Sequence, residues 1–225
     1  MARLLVHVEG QTEESFVNEV LRDELLAKGY DAVSARIVGN ARLRSRRGGV
    51  RPWPSVKRDI INHLNADSGC IATTMVDYYG LPREWPGRAM ASSLSSRKKA
   101  PHVEQSLLGD IVEEMGDRLD PKRFVPFVVM HEFEGLLFSD CAAFSRGIGR
   151  PNLEPDFKTI RDQFATPEEI NDSAVTAPSK RVEALVPGYQ KPLLGVLAAL
   201  EIGLARIRAE CPHFNQWLEK IEALA

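Results

Sequence analysis

The chain has 225 residues, 44% hydrophobic and 27% charged, with a formal net charge of -2. That apolar fraction supplies a packed core and excludes a disordered chain. The near-neutral balance excludes a nucleic-acid binder acting through bulk charge, so any such role must come from local patches.

The length suits one domain, or one domain with a helical annex. Cys70, Cys141 and Cys211 are far apart and odd in number. They argue against a disulfide framework and against a cysteine-type zinc site. A reducing, cytoplasmic compartment is the expectation. The N-terminus has no signal-peptide pattern. The longest apolar stretch, Leu193 to Leu204, is broken by Gly195, Glu201 and Gly203. It falls short of the roughly 20 residues that span a bilayer, so no membrane role is expected.

Leu4 to Val8 reads as a strand buried on both faces. Glu9, Gly10 and Gln11 form its exit turn, and Thr12 stands where a helix N-cap belongs. Phe16, Val17, Val20, Leu21, Leu25 and Leu26 follow at helical spacing. Ligands of open α/β sheets bind outside the carboxyl ends of the strands, which is where Glu9 falls. Lys28 to Asp31 stops the helix, and Ala32 to Val38 reads as a second strand, parallel to the first.

Arg42, Arg44, Arg46, Arg47 and Arg51 then crowd a stretch without an acid, marked as loop by Gly48-Gly49 and Pro52-Trp53-Pro54. Such a loop can neutralise phosphates, and Trp53 can stack on a base; the bland alternative is a solvated loop. Ser55 is the expected cap of a helix through Val56, Ile60, Ile61 and Leu64. Cys70 to Val76 is an uncharged strand ending in Asp77. Two acids from distant sequence at one sheet edge make a divalent-metal site plausible, although an Asp after a strand often only caps a turn.

Arg83 to Ala100 is a polar loop with a basic cluster at Arg97-Lys98-Lys99, and Pro101 is placed at the start of a helix. Phe124 to Met130 is the next strand, weakened by Pro126. It leads to His131, Glu132 and Glu134, with Phe133, Leu136 and Leu137 on the core side of a short helix. No second histidine completes a His-Glu-x-x-His zinc motif. Beyond Asp140 the chain reads as helical, with residues 145–155 as a linker. Helices are expected over 157–164, 167–171, 180–185, 193–208 and 215–224. Ser179 can cap the third of these. Lys180 and Arg181 at its start are unfavourable unless an anion is near.

Several segments together resemble the domain-of-unknown-function family 4276. They are Val8-Glu9-Gly10-Gln11-Thr12-Glu13, Asp77-Tyr78-Tyr79-Gly80-Leu81-Pro82, His131 to Asp140, Ile170-Asn171-Asp172, Ala177 to Arg181 and Cys211 to Phe214. The resemblance implies a Toprim-like, topoisomerase-primase fold: a mostly parallel sheet flanked by helices over residues 1–140, with a helical C-terminal portion over 141–225 packed on it. Toprim domains bind magnesium and act on phosphodiesters, using a glutamate after the first strand and an Asp-x-Asp after a later one. The resemblance places these at Glu9 and Asp77, but Tyr79 stands where the second aspartate belongs. Glu132, Glu134 or Asp140 can supply the missing carboxylate.

The expected activity is therefore hydrolysis of DNA or RNA with Mg²⁺ or Mn²⁺. Glu9, Asp77 and Glu134 would hold the metal, and Lys180, backed by Arg181, would stabilise the transition state. The arginine loop and Trp53 would bind nucleic acid. The resemblance implies a setting in phage defence beside an ATPase, and the alternative is a non-catalytic binding or sensor subunit docking that partner ATPase. The sequence leaves homo-oligomerisation open. A phosphohydrolase using the same acids ranks last, since no glycine-rich P-loop is present.

Overall fold

The computed structural model describes residues 2–38, 50–171, 173 and 175–225. Strands β1 (Arg3–Val8), β2 (Ala32–Ile37), β3 (Cys70–Asp77), β4 (Phe124–Val125) and β5 (Val128–Val129) form one sheet in the order β2-β1-β3-β4, with β5 also paired to β3. Every pairing is parallel. β3 is buried along its whole length, as expected of an uncharged central strand covered on both faces.

The alternation of side chains along β1 and β3 sorts the core into two apolar layers. On one face Leu4, Val6, Val8, Ile71 and Met75 meet Phe16, Val17, Leu21 and Leu25. These come from α1 (Gln11–Phe16), a π-helical turn (Val17–Leu21) and α2 (Arg22–Ala27). On the other face Ala72 and Val76 meet Val56 and Ile60 of α3 (Trp53–Ala66) and Val103, Leu107 and Ile111 of α5 (Ser96–Met115). The short α4 (Arg88–Ala91) leads into α5. Pro126 has no N–H to give the ladder, and β4 and β5 part around it. Thr74 fills the gap: its Oγ1 donates to the Phe127 carbonyl (2.8 Å) and accepts the Phe127 N–H (2.9 Å).

The remaining helices are α6 (Glu134–Leu137), α7 (Cys141–Gly147), α8 (Glu154–Arg161), α9 (Pro178–Leu185), α10 (Lys191–Ile202), α11 (Leu204–Glu210) and α12 (Pro212–Glu222). Of these, α12 packs directly on the sheet, and the others pack mainly on one another and on α1. The Trp217 ring stacks on Phe127 at 4.4 Å, and its Nε1 donates to Thr73 Oγ1 on β3 (2.9 Å). Phe214, Leu218 and Ile221 belong to the same apolar layer as β1. Among the described residues no helix is long and apolar enough to cross a membrane. The described cysteines are free.

Several local expectations are corrected. Thr12 is not the cap: Gly10 holds that position, and its N–H is satisfied by the Glu13 carboxylate (3.0 Å). Pro52 and Ala177 cap α3 and α9, with Ser55 and Ser179 inside the first turns. Pro101 lies within α5, which starts at Ser96. The expected linker at 145–155 holds the end of α7 and a 3₁₀ turn, Pro151–Leu153. Phe144 of α7 stacks on Phe157 of α8 at 4.3 Å, and this contact gives the stretch its order. The arginines Arg42, Arg44, Arg46 and Arg47 lie outside the described residues.

Buried against α3, His7 on β1 places Nδ1 3.2 Å from the Thr73 carbonyl and Nε2 3.1 Å from His63 Nδ1. Burial pushes its pKa down to about 4. The unfolded chain therefore binds the proton first. Stability is full above pH 6.5 and falls as the pH drops toward 4, by ~3 kcal/mol for this group. Urea unfolding across that range should show a steeper acid loss for the wild type than for His7→Leu; parallel curves would refute the assignment.

α7 and α10 touch through glycine. A Cβ on Gly147 would lie 2.6 Å from Ala198 Cα and 2.9 Å from the Leu197 carbonyl, both backbone atoms. Gly147→Ala should destabilise the fold by about 1–3 kcal/mol, the usual cost of overpacking. Gly109→Ala in α5 is the control, because a Cβ there meets nothing within 4 Å. Equal denaturation midpoints for the two variants would contradict the close contact.

Candidate functional site

The carboxyl edge of the sheet collects acids from three places in the chain. Glu9 follows β1, Asp77 ends β3, and Glu134 begins α6 just after β5. Glu9 is tied to β3 by the Asp77 N–H, which donates to its Oε2 (3.3 Å). Gly80, in the turn after β3, lies against the same carboxylate, for a Cβ there would stand 3.2 Å from both oxygens. Asp77 is 5% exposed, and its Oδ1 accepts the Phe133 N–H (2.9 Å). Its Oδ2 faces Lys191 Nζ at 3.6 Å. The same ammonium stands 2.8 Å from Glu134 Oε2. Glu134 is fully buried and neither of its oxygens accepts a well-aligned hydrogen bond, so Lys191 answers it as an ion pair.

The path from β5 to α6 turns sharply at His131, which has φ 64°; glycines aside, no other described residue has a positive φ. A side chain in that region costs about 1–2 kcal/mol. The kink is held by the Tyr79 N–H, which donates to the His131 carbonyl (2.9 Å). It brings Glu132 and Glu134 back to the rim of the sheet.

A model of the family described as a domain of unknown function (DUF4276) matches residues 8–222, which takes in every one of these acids. The chain belongs to that family. No curated protein and no solved structure matches it.

The electrostatics of this DUF4276 site follow from its burial. Burial raises the carboxyl groups of Asp77 and Glu134, and Lys191 works against that rise in both. Glu13, in the first turn of α1, is pushed up to about 7 by burial, with Lys191 opposing and Glu9 adding to the rise. Burial disfavours the charge on Lys191, but Glu134, Asp77 and Glu13 outweigh it and hold its pKa well above the ordinary lysine value. Lys191 thus partly offsets the charge of Glu13, Asp77 and Glu134, with Glu9 beside them. Among the described residues no group of three or more His, Cys, Asp or Glu side chains is placed to hold a metal ion. The cluster offers hard carboxylate oxygens, the donor type divalent cations take, with Lys191 standing against Asp77 and Glu134. Glu134 Oε1 accepts no hydrogen bond among the described residues.

The other expected site residues are placed differently. Glu132 spends its Oε2 on the Ser179 N–H at the start of α9 (2.8 Å). Asp140 caps α7, its Oδ1 accepting the Ala143 N–H (2.9 Å). Lys180 is exposed and pairs with Glu183 (2.7 Å), leaving the inner position to Lys191. Arg181 bonds the Thr176 carbonyl (2.9 Å) and Asn171 Oδ1 (3.2 Å). Arg51 is turned inward onto the Val38 carbonyl (2.7 Å), Ser55 and Asp59. Trp53 is buried against Trp85 and donates to Asp110 Oδ2 (2.6 Å), so it has no face to offer a base. Sequence reasoning missed Glu13 and Lys191. Glu13 had one signal, its place four residues after Glu9 on a helix start; Lys191 had none.

Removing Lys191 tests this balance. Lys191→Met leaves buried carboxylates without their counter-charge. It should cost about 2 kcal/mol near pH 8, the low side for a broken buried pair because Lys191 is partly exposed. The loss should shrink toward about pH 5. Carboxyl groups raised in the folded state hold protons there, and their destabilisation appears only as pH rises above the unfolded value. Urea unfolding at both pH values reads this out; an equal loss at each would contradict the charge balance.

Proposed function

We propose that this chain is a divalent-metal-dependent nuclease of Toprim-like fold, hydrolysing phosphodiesters in DNA or RNA. The observation that carries the reading is the convergence of Glu9, Asp77 and Glu134 at the carboxyl edge of β1, β3 and β5, balanced by Lys191. These three would hold Mg²⁺ or Mn²⁺, with Glu13 beside them. A bound metal supplies an activated water and neutralises charge on the scissile phosphate.

The chain's own groups prepare the site. The Phe133 N–H fixes one oxygen of Asp77 and leaves the other facing inward. Gly80 gives Glu9 room to lie against the turn. Lys191 is the near cation that can offset charge developing on a phosphate oxygen, the role expected for Lys180 from sequence. Glu132 anchors the start of α9 and so positions Lys180 on the rim.

Glu9→Gln and Asp77→Asn should each abolish Mg²⁺- or Mn²⁺-stimulated cleavage of labelled DNA and RNA, with far-UV circular dichroism unchanged. Cleavage that persists in both purified variants would overturn the assignment. The second reading is a non-catalytic Toprim-like subunit that docks a partner ATPase in phage defence. One observation favours it: Lys191 already stands between Asp77 and Glu134. Wild-type protein that cleaves nothing in either metal, yet retains a neighbouring ATPase in a pull-down, would decide for that reading.

A further inference from the structure

The turn that carries β3 past the site is Asp77–Gly80, closed by the Gly80 N–H on the Asp77 carbonyl (3.1 Å). Its central residues are both tyrosines, and they face opposite ways. Tyr78 is buried, while Tyr79 is 40% exposed. The buried ring is gripped by cations. The Arg88 guanidinium lies 4.0 Å from the Tyr78 ring centre, and its Nη1 donates to the Tyr78 hydroxyl (3.1 Å). Arg88 Nε donates to the Tyr78 carbonyl (3.2 Å), and the Lys99 ammonium stands 5.4 Å from the same ring centre. With its N–H held by His131, the Tyr79 backbone is pinned on both sides. The exposed ring therefore stands on a fixed backbone, in the turn that follows Asp77 and packs against Glu9 at Gly80.

Lys180 on α9, exposed and paired with Glu183 (2.7 Å), lies within electrostatic reach of Tyr79 and Glu132. Residues 78–103 hold five Lys or Arg against the single acid Glu84, in a chain of net charge -2. Lys98 is exposed and has no ion-pair partner among the described residues. An aromatic face among cations, next to an acid pit, fits a polyanion whose bases are open to stacking. A duplex hides its base faces; a single strand does not.

We propose that Tyr79 is a base-stacking platform for single-stranded nucleic acid, with Lys180 on the strand's phosphates, so that a phosphodiester is presented to Glu9, Asp77 and Glu134. The proposal rests on the nucleic-acid reading above and adds the strand form and the residue that senses it. Tyr79 is then a specificity residue, standing where the Toprim pattern has an acid.

The test is fluorescence anisotropy with labelled oligonucleotides of about 12 nucleotides, within the usual single-strand site size. It is run in EDTA at several salt concentrations. Wild-type protein should bind the single strand more tightly than the duplex of the same sequence. Tyr79→Ala should weaken single-strand binding about tenfold, the scale of one lost base stack, and Tyr79→Phe and Tyr79→Trp should restore it. Lys180→Ala should reduce the slope of log affinity against log salt by about 0.7, the single-strand value per phosphate contact. The proposal is overturned by any of three results: no strand binding by the wild type, equal affinity for duplex, or Tyr79→Ala binding like wild type. The assay needs neither metal nor turnover. Strand binding without cleavage would therefore sink the nuclease reading alone, and cleavage with Tyr79→Ala binding unimpaired would sink this one alone.

Discussion

Buried negative charge is the constraint around which the molecule is arranged. Asp77 and Glu134 sit in an apolar setting where an unpaired carboxylate is strongly disfavoured. The chain meets that cost with one ammonium, drawn from α10 to stand within 2.8 Å of Glu134. Much of the local architecture can be understood as holding this arrangement still. The left-handed turn at His131 returns the chain to the rim. The Phe133 N–H steadies Asp77, and the small residues Gly147 and Ala198 let α10 settle close to α7. Strain and tight packing of this kind are retained where the surrounding fold over-determines them.

The sheet side of the site was legible in the amino-acid pattern, because Leu4 to Val8 and Cys70 to Val76 are apolar runs that each stop at an acid. Parallel order followed from the short strand-helix-strand spacing, and the weakness at Pro126 from its missing donor. What was illegible depends on distance. Lys191 opens a helix beside Pro192 and reads as a solvated cation; its meaning comes only from Asp77 and Glu134, remote in sequence. Trp53 reads as a loop aromatic because prolines flank it, whereas Trp85 and Asp110 bring it inside. Asp140 looked available because it comes after the strand that ends at Met130, yet a helix start claims it.

The rim and the pit carry opposite charge. Arg88 and Lys99 hold the Tyr78 ring and Lys180 lies within electrostatic reach of Tyr79, while Glu13, Asp77 and Glu134 cluster with Lys191 next to Glu9. On the proposed reading, the cations outside would attract a polyanion and the acids inside would repel it until their charge is reduced. A near-neutral chain can hold both fields because they are local, and a composition-level reading averages them away.

The mixed origin of the core bears on how this protein can be inherited. Phe127 is roofed by Trp217, Tyr30 gives its hydroxyl to the Ile221 carbonyl (2.6 Å), and the counter-ion for β3 comes from α10. A gene fragment encoding the sheet alone would encode bare aromatic surface and an uncompensated acid pit. The two halves consequently share one apolar layer and one charge balance, and neither is complete in packing without the other.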